Sequence, residues 1–274
     1  MGGALIIVFR EVLEAGLIIG IVLAATQKVD SSRLCVAGGV AAGLAGSALV
    51  ALFMSGIADS FDGYGQELFN AAVLGAAVLM LAWHNIWMAQ HGRTMVAELH
   101  AASREVVERR KPMLALAVVV GAAVLREGAE VVLFLYGVAL GGSSAVNLMI
   151  GGGLGLILGG AVTGLTYLGL LRIPTRYLFT VTSWLITFLA AGLAAQAAGY
   201  LARAGVIEAL GQTVWDSSWL LSQQSIPGML LHTLIGYSDR PTALQLIVYI
   251  GTLVAIILLS RLAAPPPPRP VSAE

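Results

Sequence analysis

The chain has 274 residues, of which 58% are hydrophobic and only 11% are charged, and its formal net charge is zero. A mean hydropathy of +0.88 is typical of a protein embedded in lipid, which excludes an ordinary soluble globular fold. The balanced charge gives no attraction for a polyanion, so we expect no nucleic-acid partner. The single cysteine, Cys35, can form neither an intramolecular disulfide nor a thiolate metal site.

Seven apolar windows are long enough to cross a bilayer as helices, for which about 20 residues are needed. None shows the alternation over about ten residues that marks a membrane β-strand, and the first lacks the basic start of a cleaved signal peptide. The predicted fold is therefore all-α, a polytopic membrane protein with seven transmembrane helices and the lipid bilayer as its environment. The windows run over residues 3–26, 34–58, 68–90, 113–140, 148–171, 177–202 and 242–260.

Two stretches between the windows are longer than simple turns. Residues 91–112 carry mixed charges and end at a proline, which predicts a short separate helix. Residues 203–240 are too polar to span, but Trp215 and Trp219 suit the level of the lipid headgroups, so we expect an interfacial or re-entrant outer cap there. The Pro-rich residues 265–274 predict a flexible cytoplasmic tail.

The basic residues sort to one side of the predicted helices. Eleven of the 15 Lys and Arg residues fall in the first, third and fifth loops and the tail, whereas the opposite loops hold only Arg203 and Arg240 beside six acids. Cytoplasmic loops carry an excess of Lys and Arg. We therefore predict a multi-pass protein of the cell (plasma or inner) membrane with its N-terminus outside and its C-terminus in the cytoplasm.

Charged residues inside two of the windows break the apolar pattern. The pentad Arg-Glu-x-x-Glu occurs at residues 10–14 in the first window and again at residues 126–130 in the fourth. On a helix, positions i, i+1 and i+4 share a face, so each copy presents two carboxylates beside a guanidinium. Each unpaired charge near the bilayer centre costs about 2.5–3.5 kcal/mol. The summed cost of six unpaired charges would exceed the net stability of a typical domain, about 5–15 kcal/mol. We therefore predict that these residues pair with one another and serve a function.

The predicted topology makes the two copies antiparallel, because the first window runs inward and the fourth runs outward. Three helices followed by three of opposite orientation predict an inverted repeat, with a substrate site near the midplane where the repeats meet. Repeat one covers about 3–90 and repeat two about 113–202, within a single transmembrane domain of residues 1–264 to which the seventh helix is an addition. The charged residues that then converge are Glu11, Glu14, Glu127 and Glu130, flanked by Arg10 and Arg126.

Oxygen donors in this number favour a hard cation, and the guanidinium groups can orient the carboxylates by bidentate hydrogen bonds. The residues alone leave other functions open: a transporter of another hard cation such as manganese, an intramembrane metalloenzyme, or a passive scaffold subunit. The sequence contains no H-E-x-x-H, no G-x-S-x-G and no Walker motif, so the common nucleophiles, zinc ligands and ATP-binding loop are missing.

Paired Arg-Glu-x-x-Glu motifs in helices one and four of a seven-helix protein resemble the oxidase-dependent iron permease family. The stretches GQELFNAAVLGAAVLMLAWHNIWM, TSWLITFLAAGLA, VWDSSWLL and GMLLHTLIGY resemble the corresponding family segments, so the likeness covers nearly the whole chain. The resemblance implies a permease rather than an enzyme, which carries iron inward across the plasma membrane. It also implies that an extracytoplasmic oxidase or peroxidase-type partner delivers ferric ion, and that iron is the substrate rather than a prosthetic group.

The resemblance implies roles for particular residues. Glu67, at the outer start of helix three, is similar to an acidic position at the family's entrance, and Asp59 and Asp62 add to the same negative field. His84, inside helix three, could ligate an ion or relay protons, or could serve only packing. The implied ligands on the permeation path are Glu11, Glu14, Glu127 and Glu130, with Arg10 and Arg126 as orienting charges.

Overall fold

The computed structural model describes residues 1–27, 29, 32–59, 66–108, 112, 114–140, 143–169 and 175–263. Asp62 and the predicted tail lie outside these residues. Within them the chain is all-helical, with one isolated bridge between Thr213 and Thr242. The helices are α1 (Gly2–Ala25), α2 (Ser32–Asp59), α3 (Gln66–Val107), α4 (Leu114–Leu140), α5 (Ala145–Tyr167), α6 (Thr175–Arg203), α7 (Ile226–Ile235) and α8 (Ala243–Ala263).

Seven of these helices coincide with the seven apolar windows, and the eighth, α7, lies in the predicted cap. One expectation was wrong. Residues 91–107 do not form a separate helix but continue α3, which is 42 residues long. This part of the sequence contains no proline and only one glycine, Gly92, so nothing in it stops a helix that is already nucleated.

Membrane-spanning character is clear for five of the helices. Long apolar stretches that could cross a bilayer occur in α2, α3, α5, α6 and α8. Helices α1 and α4 are as long, at 24 and 27 residues, but each carries the three charged residues of one pentad. In its described residues the protein is therefore an all-helical, polytopic membrane protein, and the two pentads lie on long helices other than those five.

The two motif helices pack along different partners, α1 along α5 and α4 along α2, while α3 packs along α6. Glycines let the backbones touch in both of the first two pairs. A Cβ atom on Gly155 of α5 would lie 2.6 Å from the carbonyl oxygen of Leu5, and one on Gly43 of α2 would lie 2.7 Å from that of Gly121. Both distances are too short for any side chain larger than that of glycine. The close distance between the helix axes in these two pairs therefore depends on glycine.

Replacing Gly155 by alanine is expected to destabilise the protein by about 1–3 kcal/mol, because the added methyl group overpacks the interface with α1. Gly153 lies two residues away in α5, and a Cβ atom added there would meet nothing within 4 Å. Gly153→Ala should therefore be neutral or slightly stabilising, since alanine is the better helix former by up to about 1 kcal/mol. Thermal unfolding of the two purified variants in the same detergent checks this; equal melting temperatures would contradict the backbone contact.

Two apolar clusters lie on either side of the motifs along the helix axes. The Phe134 cluster contains Ile7, which precedes the motif in α1, together with Phe134, which follows the motif in α4. The Val120 cluster contains Val22, which follows the motif in α1, and Val120, which precedes it in α4. Because residues before one motif pack with residues after the other, α1 and α4 run antiparallel, and the motifs lie between the two clusters.

The cap, residues 203–240, folds back on the helices through α7. Ser225 caps the start of this helix by accepting a hydrogen bond from Gly228 N, and Gly236, in the left-handed conformation (φ 71°), caps its end. With ten residues it is too short to span a bilayer, and it packs against α6 and α1. Elsewhere in the cap, hydrogen bonds from Ser218 lower the pKa of Asp216 to about 2, so this carboxylate stays ionised at physiological pH.

Candidate metal centre

The charged residues of both pentads meet a histidine in the middle of the helix bundle. Helix α1 supplies Glu11, α3 supplies His84, and α4 supplies Glu127 and Glu130. Each of these four residues offers one ligand atom, and the four atoms lie within 4.8 Å of one another. Three carboxylates and an imidazole at this spacing form a group that can surround one metal ion.

His84 connects the two pentads directly. Its Nε2 atom lies 3.4 Å from Glu14 Oε2 and its Nδ1 atom lies 2.5 Å from Glu130 Oε2. Glu14 is held on its other side by Arg10, whose Nε donates to Glu14 Oε1 at 2.8 Å. The imidazole therefore sets the distance between a carboxylate of the first motif and a carboxylate of the second.

The two arginines have equivalent positions in sequence but different surroundings. The Arg10 side chain is 2% exposed, whereas that of Arg126 is 39% exposed. Arg126 Nε donates to Glu130 Oε1 at 3.1 Å, and its guanidinium lies 4.7 Å from the centre of the Trp87 ring. The second guanidinium is thus supported by a cation–π contact, while the first is enclosed by protein.

If the chain carries iron, as the resemblance implies, Arg10→Lys should impair uptake more than Arg126→Lys. A lysine ammonium lacks the planar fork of the guanidinium, and in the buried position the lost donor leaves Glu14 undersatisfied, which predicts a loss of about tenfold or more. At the partly exposed Arg126, uptake should stay within about fivefold of wild type. Initial uptake rates, divided by the amount of permease in the membrane, check this; equal losses would show that burial does not decide the effect.

Several carboxylate oxygens at the centre have no geometric hydrogen-bond partner in the described part of the chain. Both carboxylate oxygens of Glu11 and Oε2 of Glu127 are buried and have no hydrogen-bond partner among the residues that the structure describes. Leaving a buried polar group unpaired costs about 1–3 kcal/mol, and more when it is charged. Native proteins retain such groups where a ligand completes them, and for oxygens of this kind the natural ligand is a cation.

A second layer of polar residues fixes the helix that carries His84. Asn85 Nδ2 donates to Thr187 Oγ1 at 3.0 Å, and Thr187 Oγ1 donates to the carbonyl oxygen of Ser183 at 2.8 Å. These bonds tie α3 to α6 next to the histidine and hold α3 in its rotational position. No local pattern in the sequence predicts this role, because the contact joins residues that are 102 positions apart in the chain.

All six motif residues predicted from the sequence are near one another in the structure. Glu14 does not belong to the group of four that converges most closely, since it is bound to Arg10 and His84 instead. Glu67 lies apart from the centre and pairs with Arg203 at 3.2 Å. Asp62 is outside the described residues, so its predicted role at the entrance stays a prediction.

Comparison with known proteins identifies the family of the chain. The model of the iron permease FTR1 family matches residues 1–264. The chain belongs to that family. A ferrous iron permease EfeU of Escherichia coli O157:H7 is 31% identical over 266 residues, covering 94% of this chain and 96% of that protein. A ferrous iron permease EfeU of Yersinia pestis is 30% identical over 269 residues, covering 96% and 93% respectively. No solved structure matches.

Family membership confirms the resemblance that the paired motifs predicted. It makes the chain a membrane permease and makes iron its transported substrate. A permease for a metal ion must replace the hydration shell of the ion inside the membrane.

Proposed function

We propose that the protein carries iron inward across the cell membrane and that the ion is bound in transit by Glu11, Glu127, Glu130 and His84. The observation that carries this proposal is the convergence of four ligand atoms within 4.8 Å, from three different helices, in the buried centre of a membrane protein. Glu14 and the two arginines act as orienting groups, which hold the ligands before the ion arrives. The two guanidinium groups also limit the excess negative charge of the centre.

The oxidation state of the ion in transit is part of the proposal. We propose that iron arrives as ferric ion from an extracytoplasmic oxidase or peroxidase-type partner, because three carboxylates are hard ligands that suit a highly charged ion. A second candidate is ferrous ion. It is favoured by the imidazole of His84, which is a softer ligand than a carboxylate, and the similar proteins of E. coli and Y. pestis are named ferrous iron permeases.

The packing of the motif helices supports an inverted 3+3 repeat followed by one added helix. Glycines of α5 contact α1 at Met1, Leu5 and Phe9, and glycines of α2 contact α4 at Ala117, Gly121 and Leu125. In both helices the contacted residues stand nine, five and one positions before the arginine of the motif. The α1–α5 and α4–α2 pairs therefore have the same register, as two copies of one packing unit would have.

The position of the centre between two apolar clusters supports transport by alternating access. Ions cannot pass through packed Phe134, Ile7 or Leu74 on one side, nor through Val22 and Val120 on the other, unless side chains or helices move. We propose that the ion enters from the N-terminal side of α1, which the positive-inside rule places outside the cell. It exchanges its ligands at the centre and leaves toward the cytoplasm when the repeats rearrange.

The experiment that tests the proposed function is uptake of radioactive iron by cells that lack their other iron importers. Uptake is measured with ferrous iron under a reductant, with ferric iron, and with ferric iron plus an excess of ferrous or manganese ion. An iron permease should raise uptake above the empty-vector level, and excess manganese should inhibit weakly. Equal inhibition by manganese and by iron would favour the alternative of a general transporter for hard divalent cations.

A further inference from the structure

A cavity of about 460 Å³ lies between the cap, the end of α6 and the start of α8. Its floor includes Gln196 and His232, which also border a much smaller void beneath it. That void reaches Val138 and Leu193, which are members of the Phe134 cluster. The cavity is thus separated from the glutamates by packed apolar side chains, and its volume is in the range of small-molecule sites, about 300–1,000 Å³.

The residues that line this cavity are unsuited to a bare metal ion. Arg203 is the only charged residue among the described residues in its wall, and no carboxylate is among them. A hard cation needs anionic or carbonyl oxygens in number, and a lone guanidinium repels it. The same wall suits a ligand that carries negative charge.

Three tyrosines and one tryptophan line part of the remaining wall, and the tyrosine hydroxyl groups are already engaged. Tyr237 donates to the carbonyl oxygen of Leu221 at 2.8 Å. Tyr200 donates to the carbonyl oxygen of Leu140 at 2.7 Å, and Tyr249 donates to that of Ile235 at 2.5 Å. These hydrogen bonds fix the rings, so Tyr200 and Tyr249 present ring faces and edges to the cavity rather than free hydroxyls. Trp215 adds an indole. Such a wall favours a flat apolar group beside the anionic one.

The guanidinium of Arg203 is available to an incoming anion at small cost. Its present partner is Glu67, at 3.2 Å, and the two side chains are 56% and 43% exposed. Exposed ion pairs are weak because water screens both charges, so a second carboxylate can compete with Glu67. The guanidinium also lies 4.3 Å from the centre of the Tyr200 ring, which keeps it at the edge of the aromatic wall.

We propose that this cavity is a binding site for a small organic anion of the aromatic carboxylate class. The carboxylate of the ligand pairs with Arg203 in place of Glu67, and its ring packs against Tyr200, Tyr249 and Trp215. Binding releases the carboxylate of Glu67 from its ion pair at the rim of the cavity. No part of this proposal requires iron at the glutamate centre.

The test is isothermal titration of benzoate into the full-length protein in phosphatidylcholine nanodiscs, in buffer that contains a chelator and no added metal. Benzoate should bind, whereas benzamide, which has the same ring without the charge, should bind about two- to fivefold more weakly, because the pair with the exposed Arg203 is worth no more than that. Arg203→Gln should weaken benzoate binding by a similar factor. Glu67→Gln should strengthen it about two- to fivefold, because the competing carboxylate is removed.

The two substitutions remove opposite ends of one ion pair and are expected to change benzoate affinity in opposite directions. Both residues are exposed, so neither substitution should prevent folding, and size-exclusion chromatography of the nanodiscs checks this. Equal binding of benzoate and benzamide, or unchanged benzoate binding in Arg203→Gln, would overturn the proposal. Because no iron is present, that failure would leave the proposed transport function untouched, and Glu127→Gln, which lies outside the cavity, should bind benzoate as wild type does.

Discussion

Glu127→Gln is expected to reduce iron uptake by about 100-fold or more while leaving the metal-free protein at least as stable as wild type. Glu127 offers one of the four converging ligand atoms, and an amide supplies neither its charge nor its second equivalent oxygen. The carboxylate is buried beside those of Glu11 and Glu130, and its Oε2 has no hydrogen-bond partner within the described part of the chain. Glutamine keeps the volume of the side chain and brings no charge to this buried position, so the metal-free fold should not lose stability.

The measurement combines radioactive iron uptake with thermal unfolding of the purified variant in the presence of a chelator. Glu208→Gln, a substitution of the same type at an exposed residue of the cap, is the matched control and should behave as wild type in both assays. Wild-type uptake by Glu127→Gln would remove this residue from the ligand set. A melting temperature well below that of wild type would instead show that the carboxylate supports the fold.

Much of the helical architecture was predictable from hydropathy alone. The windows 3–26 and 113–140 differ from α1 (Gly2–Ala25) and α4 (Leu114–Leu140) by only one residue at any end, because apolar length sets where a membrane helix begins and ends. The motifs were equally easy to recognise in the sequence, since charged residues in an apolar helix are rare and cost free energy. Hydropathy did not predict that α3 continues to Val107. Outside the apolar stretch, a helix ends at a capping residue, a glycine or a proline rather than where hydropathy falls.

The composition of the centre was only partly predictable. The spacing within one helix predicts that Glu11 and Glu14 lie on a common face. The antiparallel arrangement of the two helices predicts that the second motif faces the first. No local rule identifies which residue of a third helix reaches into that space, and His84 had a packing role as an equal alternative. The different burial of Arg10 and Arg126 is likewise a property of the assembled helices, since the two pentads are alike in sequence.

His84→Phe should both destabilise the protein, by about 3–5 kcal/mol, and abolish uptake. Phenylalanine fills the space but provides no nitrogen, so the carboxylates of Glu14 and Glu130 lose the group that lies between them, and breaking a buried ion pair carries this penalty. Trp83→Phe is the matched control, because Trp83 is the preceding residue of α3 and is 71% exposed. Thermal unfolding and uptake rates should be close to wild type for the control.

A double substitution separates the two roles of the histidine. If His84 stabilises the fold by pairing with Glu130, at 2.5 Å, then Glu130→Gln removes a carboxylate that His84→Phe leaves with Arg126 as its remaining partner. The double variant should recover about 0.5–3 kcal/mol relative to the sum of the single effects, yet its uptake should stay absent because two ligand groups are gone. Additive losses of stability would show that the two residues are not coupled. Restored uptake would show that the imidazole and the carboxylate stabilise the helix bundle and do not bind the ion.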